Sequence, residues 1–321
     1  MIIRPASPAD HPALVDLLRT TMGWPQGPEG HRLWQWKHVD SPFGPSVMWM
    51  AEEGGRPIGV RPFMRWEFER GSSVVRAARA VDTATHPDHQ GKGVFSTLTR
   101  AALDELRGDG VQFVFNTPNS QSLPGYLKLG WTNVGRLPVA VRPSSPAALW
   151  RMLRSRVPAE RESLDTKAGA PIGDLLDSAQ LGSLLADHRT DRGGLRTRRT
   201  VAYIQWRYGR PWLKYRAILG AHDVAQGSAV VRRRRRGPSV EAAVVEALAS
   251  GGDERTTREL LKLAAIRTEA DYAIRLGPAG RFGAWLPAPK AGPIFTCLPL
   301  DRGTAPPLNE WELTLGDVEL F

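Results

Sequence analysis

Between Val81 and Leu98 the chain reads Val-Asp-Thr-Ala-Thr-His-Pro-Asp-His-Gln-Gly-Lys-Gly-Val-Phe-Ser-Thr-Leu. A strand-like segment stops at Pro87, glycines flank Lys92, and an apolar-periodic segment begins with no acidic residue in its first turn. This is a strand, a tight turn and a helix, and it commits the surrounding chain to an α/β arrangement of a sheet carrying helices. Gly91 and Gly93 let the backbone take angles that a Cβ would forbid and come close to a ligand. The N–H groups from Gln90 through Phe95 lack intrahelical acceptors, the helix dipole adds partial positive charge, and Lys92 adds a whole one. Such a turn suits an anion, phosphate above all. Gly-x-Gly is also an ordinary turn, so the loop by itself leaves both readings open.

The flanking segments fit this class. A strand at Met1–Arg4 precedes a helix start, in which Ser7 can cap, Pro8 suits the first helical position and Asp10 completes a capping box. Leu14, Leu17 and Leu18 then recur at helical spacing. A second helical stretch spans Trp34–His38. Strands are expected at Val47–Glu52, Pro57–Glu69 and Val74–Thr85, a helix at Gly93–Leu106, a strand at Val111–Asn116, a short helix at Leu123–Leu129 and a strand at Val134–Val141. Met64, Trp66 and Phe68 alternate with Arg65, Glu67 and Glu69, the period of a half-buried strand. A short apolar helix fits Ala147–Leu153, and the Pro-, Gly- and charge-rich stretch Val157–Gly173 after it reads as a linker. Beyond it come helices at Asp174–Asp187 and Thr200–Tyr208, strands at Tyr215–Leu219, Ser228–Arg234 and Val240–Leu248, a helix at Thr256–Ile266 and a strand near Tyr272–Leu276. Gln35-Trp36-Lys37-His38, followed by Pro42, is echoed by Gln205-Trp206-Arg207-Tyr208, followed by Pro211. With the matching element order, this points to two related α/β halves.

Composition narrows the function. The chain has 321 residues, enough for two domains with their own cores. Its single cysteine, Cys297, excludes an internal disulfide and a thiolate metal cluster. No stretch approaches the ~20 apolar residues of a membrane span, and Met1–Pro5 lacks the charged head and apolar run of a secretory leader, so a cytoplasmic protein is expected. Lys and Arg total 43 against 33 Asp and Glu, a net charge of +10 that favours anionic partners.

The loop Gln90-Gly91-Lys92-Gly93-Val94-Phe95 resembles motif A of the GNAT N-acetyltransferase superfamily, Arg/Gln-x-x-Gly-x-Gly/Ala after a strand, with Phe95 in place of a small residue. Asn119-Ser-Gln-Ser-Leu-Pro-Gly-Tyr126-Leu-Lys-Leu-Gly-Trp131 resembles motif B, with Ser122 replacing the usual alanine and Pro124 and Gly125 intruding on its helix. The opening Ile3-Arg4-Pro5-Ala6-Ser7-Pro8-Ala9-Asp10 is also similar to the start of that fold. The resemblance covers residues 1–142. It implies a mixed central sheet flanked by helices, with acetyl-CoA as cosubstrate and no metal. It also implies the site. Backbone groups around Thr83, Ala84 and Thr85 would pair with pantetheine amides, and Asn119 would bond the same arm. Gln90, Gly91, Lys92, Gly93, Val94, Phe95 and Ser96 would hold the pyrophosphate, with Thr97 beside it. Tyr126 would protonate the leaving thiolate. The general base is not readable: Glu52, Asp82, His86 and the terminal carboxylate of Phe321 are all conceivable.

The expected division is a catalytic domain at 1–142, a linker at 143–173 and a degenerate GNAT-like domain at 174–321. In the second half the equivalent turn places Asp253 and Glu254 at a helix start, where carboxylates cap the helix and repel a pyrophosphate. The run Arg232–Arg236 precedes Gly237-Pro238, the profile of a strand entering a hairpin, and it has no interleaved aromatics for stacking bases. A solvated hairpin edge is the expectation there. The tryptophans at 24, 34, 36 and 49 read as core. The activity expected is acyl transfer from acetyl-CoA to a primary amine on a small molecule or peptide, without nucleic-acid or membrane partners. The alternatives are a non-catalytic acyl-CoA-binding module and a nucleic-acid-binding protein.

Overall fold

The computed structural model describes residues 1–155, 157–188, 193–221, 223–280, 284–301 and 303–318. Phe321, whose carboxylate is one of the conceivable bases, lies outside the described residues. In chain order the first elements are β1 (Ile2–Pro5), α1 (His11–Met22), α2 (Pro28–Trp34), β2 (Val47–Glu53), β3 (Arg56–Arg70), β4 (Ser73–Ala80), β5 (Ala84–Thr85), α3 (Val94–Gly108), β6 (Phe113–Asn116), α4 (Leu123–Lys128) and β7 (Thr132–Arg136). There follow β8 (Val139–Pro143), α5 (Pro146–Arg154), β9 (Ala170–Pro171), α6 (Ile172–Leu176), α7 (Leu181–Asp187), β10 (Arg196–Thr197), α8 (Val201–Tyr208), β11 (Arg216–Gly220), β12 (Asp223–Arg236) and β13 (Ser239–Leu248). The last are α9 (Glu254–Arg267), β14 (Tyr272–Leu276), β15 (Leu286–Pro287), β16 (Ile294–Pro299) and α10 (Leu315–Val318). Among the described residues no helix is long and apolar enough to cross a membrane.

The chain forms two compact units, Met1–Gly135 with Ile294–Leu308, and Arg136–Pro293 with Asn309–Phe321. This differs from the division at 142 and 173 expected from sequence. The stretch expected as the strand Val134–Val141 is two strands, and they join different sheets. The first sheet runs β1-β2-β3-β4-β6-β16-β7, and the second runs, from its other end, β9-β11-β12-β13-β14-β8-β15. Each has one parallel pair, β4 with β6 and β13 with β14, and beside it an antiparallel strand, β16 on β6 and β8 on β14. The two sheets thus have the same order, and each takes the strand beside its parallel pair from the other half of the sequence. Short strands such as these carry no local signal of which sheet they join, because their pairing is entirely non-local. α5 takes the place of the short helix expected at Ala147–Leu153, while the stretch after it, expected as a linker, holds β9 and bridges from Leu164 to Arg233 on β12.

In the first unit Leu14, Leu17 and Leu18 are buried on α1 as their spacing predicts, with Trp24, Trp34 and Val60 in the same cluster. Asp10 closes the helix start by accepting from Ser7 N at 2.7 Å, and its carboxylate also takes Arg4 Nη1 at 2.8 Å and Nη2 at 2.7 Å. Trp24, Trp34 and Trp36 are core, as expected. In the second unit Asp253 caps α9, its carboxylate accepting from Thr256 N at 2.6 Å.

The arginine run requires a correction. Residues 237–238 do turn, with Gly237 at φ 55°, but the strand before them is not a solvated edge. β12 pairs with β13 through Arg236, and residues 160 and 164 lie along its other side, where their N–H groups donate to Arg235 O and Arg233 O at 2.8 Å. Arg232 is fully buried, and Arg234 and Arg236 share the buried carboxylate of Glu241. These side chains knit the unit together and form no continuous basic patch.

Candidate active site

The turn before α3 has the conformation its glycines allow. Gly91 and Gly93 have φ of 75° and 78°, and a Cβ on either would meet nothing within 4 Å. The requirement is therefore for left-handed backbone, which glycine adopts without the cost of about 1–2 kcal/mol that other residues incur. Thr97 N donates to Gly93 O at 3.0 Å, the first rung of the helix, so the amides of Val94, Phe95 and Ser96 emerge at its N-terminus without intrahelical acceptors. The first turn contains no carboxylate, and Lys92 is exposed beside it. This local chemistry fits a pyrophosphate. The hydroxyl of Thr97 turns back to Gly93 O at 3.1 Å, and Gln90 Nε2 donates to Thr85 O at 3.3 Å.

Phe95, the departure from the family pattern, reaches α4. Its ring meets Tyr126 edge-on at 5.7 Å, and a Cβ at position 125 would come within 3.3 Å of its Cε1. Gly125 therefore leaves the room that Phe95 fills, so the two departures are accommodated together. Pro124 falls at the start of α4, where its missing N–H costs no helical bond.

Strand β4 pairs with β6 only across Ala77–Arg79 and Phe113–Phe115. Along β3, Phe63 pairs with Ala80 and Val60 with Ala84, so three steps on one strand face four on the other. This is a one-residue bulge, and Asp82 occupies it with φ 46°. Past the bulge Ala84 and Thr85 stay paired with β3, while among the described residues the pairing of β4 with β6 ends at Arg79 and Phe115. Tyr126, 5% exposed, stands on α4 against Phe95 and Trp131, and its hydroxyl accepts from Arg61 Nη1 at 2.9 Å. The same Nη1 donates to Thr83 Oγ1.

Residues 2–134 match the family model described as an acetyltransferase (GNAT) domain. They form a GNAT domain. Solved structures carry the fold as well. A GCN5-related N-acetyltransferase from Anabaena variabilis aligns with a TM-score of 0.66 at 13% identity, over 94% of this chain and 73% of that one. Another from Kribbella flavida gives 0.57 at 15%, over 94% and 72%. No match was found among curated protein sequences.

Within the GNAT domain the conceivable bases are engaged elsewhere. Glu52 accepts from Arg4 Nη2 at 2.7 Å and Nε at 3.1 Å. Asp82 Oδ2 lies 2.6 Å from Lys37 Nζ and 3.2 Å from His38 Nε2, with side chains 7%, 1% and 0% exposed respectively. Burial works against the charge on Asp82, but the Lys37 ammonium and the contact from His38 outweigh it and hold the group at about 2. Burial pushes His38 below its ordinary value, and its Nδ1 lies 2.9 Å from Ser46 Oγ. Lys37 and His38 lie on a π-helical turn, Gln35–Val39, of the kind often found at functional sites. His86 Nδ1 accepts from Asp88 N at 3.4 Å. Asn119 Oδ1 accepts from Ser122 N at 2.9 Å and Gln121 N at 3.1 Å, closing the turn into α4, so its amide nitrogen is the group left to reach a ligand. Arg61, which no motif marks, and Lys37, noted only for its echo in Arg207, contact Tyr126, Thr83 and Asp82 at this candidate site and were not singled out by reading the sequence.

Proposed function

We propose that the chain is an N-acyltransferase that moves an acetyl group from acetyl-CoA to a primary amine in a ternary complex. The observation that carries this is the end of β4–β6 pairing at the Asp82 bulge, followed by an anion-ready helix start and linked through Arg61 to the Tyr126 hydroxyl. In this reading Gln90–Ser96 hold the pyrophosphate with Thr97 at the rim, Thr83, Ala84, Thr85 and the Asn119 amide meet the pantetheine arm, and Tyr126 supplies a proton to the departing sulfur. General acid help of that kind contributes about 10²–10⁴-fold. The acceptor is a small molecule or peptide carrying an amine, and a cytoplasmic place suits such a donor. The second unit, with the same strand order but Asp253 capping its equivalent helix, is a GNAT-like domain that does not take the cofactor.

The sequestration of Glu52 and Asp82 favours one second reading, a module that binds acyl-CoA without turnover. Release of free thiol from acetyl-CoA, followed across a panel of primary amines, separates the two. Turnover with any amine, lost in Tyr126→Phe, supports the transferase, whereas binding with no turnover supports the sensor.

A further inference from the structure

Arg61 is fully buried on β3, and among the described residues no carboxylate forms an ion pair with it. Its guanidinium lies instead over three rings, with Cζ 4.4 Å from the centroid of Phe63, 5.1 Å from Phe95 and 5.0 Å from Tyr126. Nη1 spans from Thr83 Oγ1 to Tyr126 OH, while Nε and Nη2 have no hydrogen-bond partner. A buried cation left without a counter-charge is costly, and native proteins keep such groups where they serve the chemistry.

We propose that Arg61 is a positioning residue for Tyr126, an inference that rests on Tyr126 being the proton donor. Nη1–H donates to the phenol oxygen, which fixes the ring and turns the hydroxyl proton away from Arg61 toward the thioester sulfur. As a neutral amine attacks the acyl carbon, the C–N bond forms and the C–S bond breaks. The thiolate takes the Tyr126 proton, the added nitrogen releases one to water, and the phenolate left behind lies against the guanidinium until solvent returns a proton. Thr83 holds the second side of Nη1, which ties this arrangement to the bulge at Asp82.

The test is calorimetric binding of coenzyme A and desulfo-coenzyme A, which needs no acceptor. It is done on the wild type, Arg61→Gln, Tyr126→Phe and the double variant, each checked for cooperative thermal unfolding. One hydrogen bond to sulfur predicts a wild-type preference for coenzyme A of about 3–10-fold. Either single variant should bring that preference near one, and the double variant should change it no further. If Arg61→Gln fails to fold, Arg61→Lys replaces it and should fall between wild type and Tyr126→Phe. A preference lost in Tyr126→Phe but kept in the Arg61 variant overturns the role of Arg61 and leaves that of Tyr126 standing. Additive losses also overturn it. A preference absent from the wild type, or kept in Tyr126→Phe, overturns the donor reading itself.

Discussion

Replacing Lys37 by methionine isolates the cluster that holds the bulge. The substitution keeps most of the side-chain volume and removes the ammonium 2.6 Å from Asp82 Oδ2. Breaking one partner of a buried pair costs about 3–5 kcal/mol. Independently, holding Asp82 from its ordinary 3.8 down to about 2 is worth ~2 kcal/mol, the same order of magnitude. For a domain of this size the loss corresponds to a drop of about 6–20 °C in Tm. The dependence on pH should also change sign. In the wild type the depressed carboxylate contributes stability that is fully present above pH ~4 and is lost as pH falls toward 2. In Lys37→Met burial acts on Asp82 without the ammonium, and only the contact from His38 remains to favour its charge. Asp82 then binds a proton more tightly folded than unfolded, so its contribution is present at low pH and lost as pH rises through the folded value. Urea unfolding of both proteins from pH 3 to 7 should give curves whose separation widens with pH. Parallel curves, or a loss under about 1 kcal/mol at pH 7, would refute a charged Asp82 held by Lys37.

Other consequences follow from single contacts. Tyr126→Phe should lower kcat by about 10²-fold or more while leaving the KM for acetyl-CoA within a few-fold, read by thiol release. Gly125→Val should crowd Phe95, since even a Cβ there reaches 3.3 Å from its ring. A loss of ~1–3 kcal/mol by thermal melting is expected, relieved in part by adding Phe95→Leu. Glu241→Ala removes the buried acceptor shared by Arg234, Arg236 and the Tyr272 hydroxyl, and should destabilise the protein by ~3 kcal/mol in chemical denaturation.

Much of this was legible because it is local. The Gly91–Gly93 spacing, the absence of acids in the next turn and the apolar periodicity of α3 each depend on neighbours within a few residues. The same holds for the Ser7–Asp10 helix start and the Asp253 cap. Arg61 was not legible, because in an alternating strand it reads as one more polar residue and its partner Tyr126 lies 65 positions away. The bulge was hidden in what reads as a single strand, Val74–Thr85, because one extra residue leaves no mark on composition. The exchange of β8 and β16 between sheets was beyond pattern reading, since strands of five and six residues can pair with any exposed edge. The Arg232–Arg236 run misled for the opposite reason. Charge suggested solvent, yet Glu241 across the hairpin and carbonyls of residues 157, 161 and 165 take these guanidiniums, and Arg232 is buried.

The central claim is that the turn before α3 receives the cofactor's phosphates. It is tested most directly by titrating acetyl-CoA into the wild type and Gly93→Asp while following thermal unfolding. At about 100 times its dissociation constant the ligand should add roughly 2.7 kcal/mol to the wild type, a rise of a few degrees. The variant, with a carboxylate at the helix start and strain at φ 78°, should show no rise at the same concentration. An equal rise in both proteins would place the ligand elsewhere, and no rise in either would contradict the account.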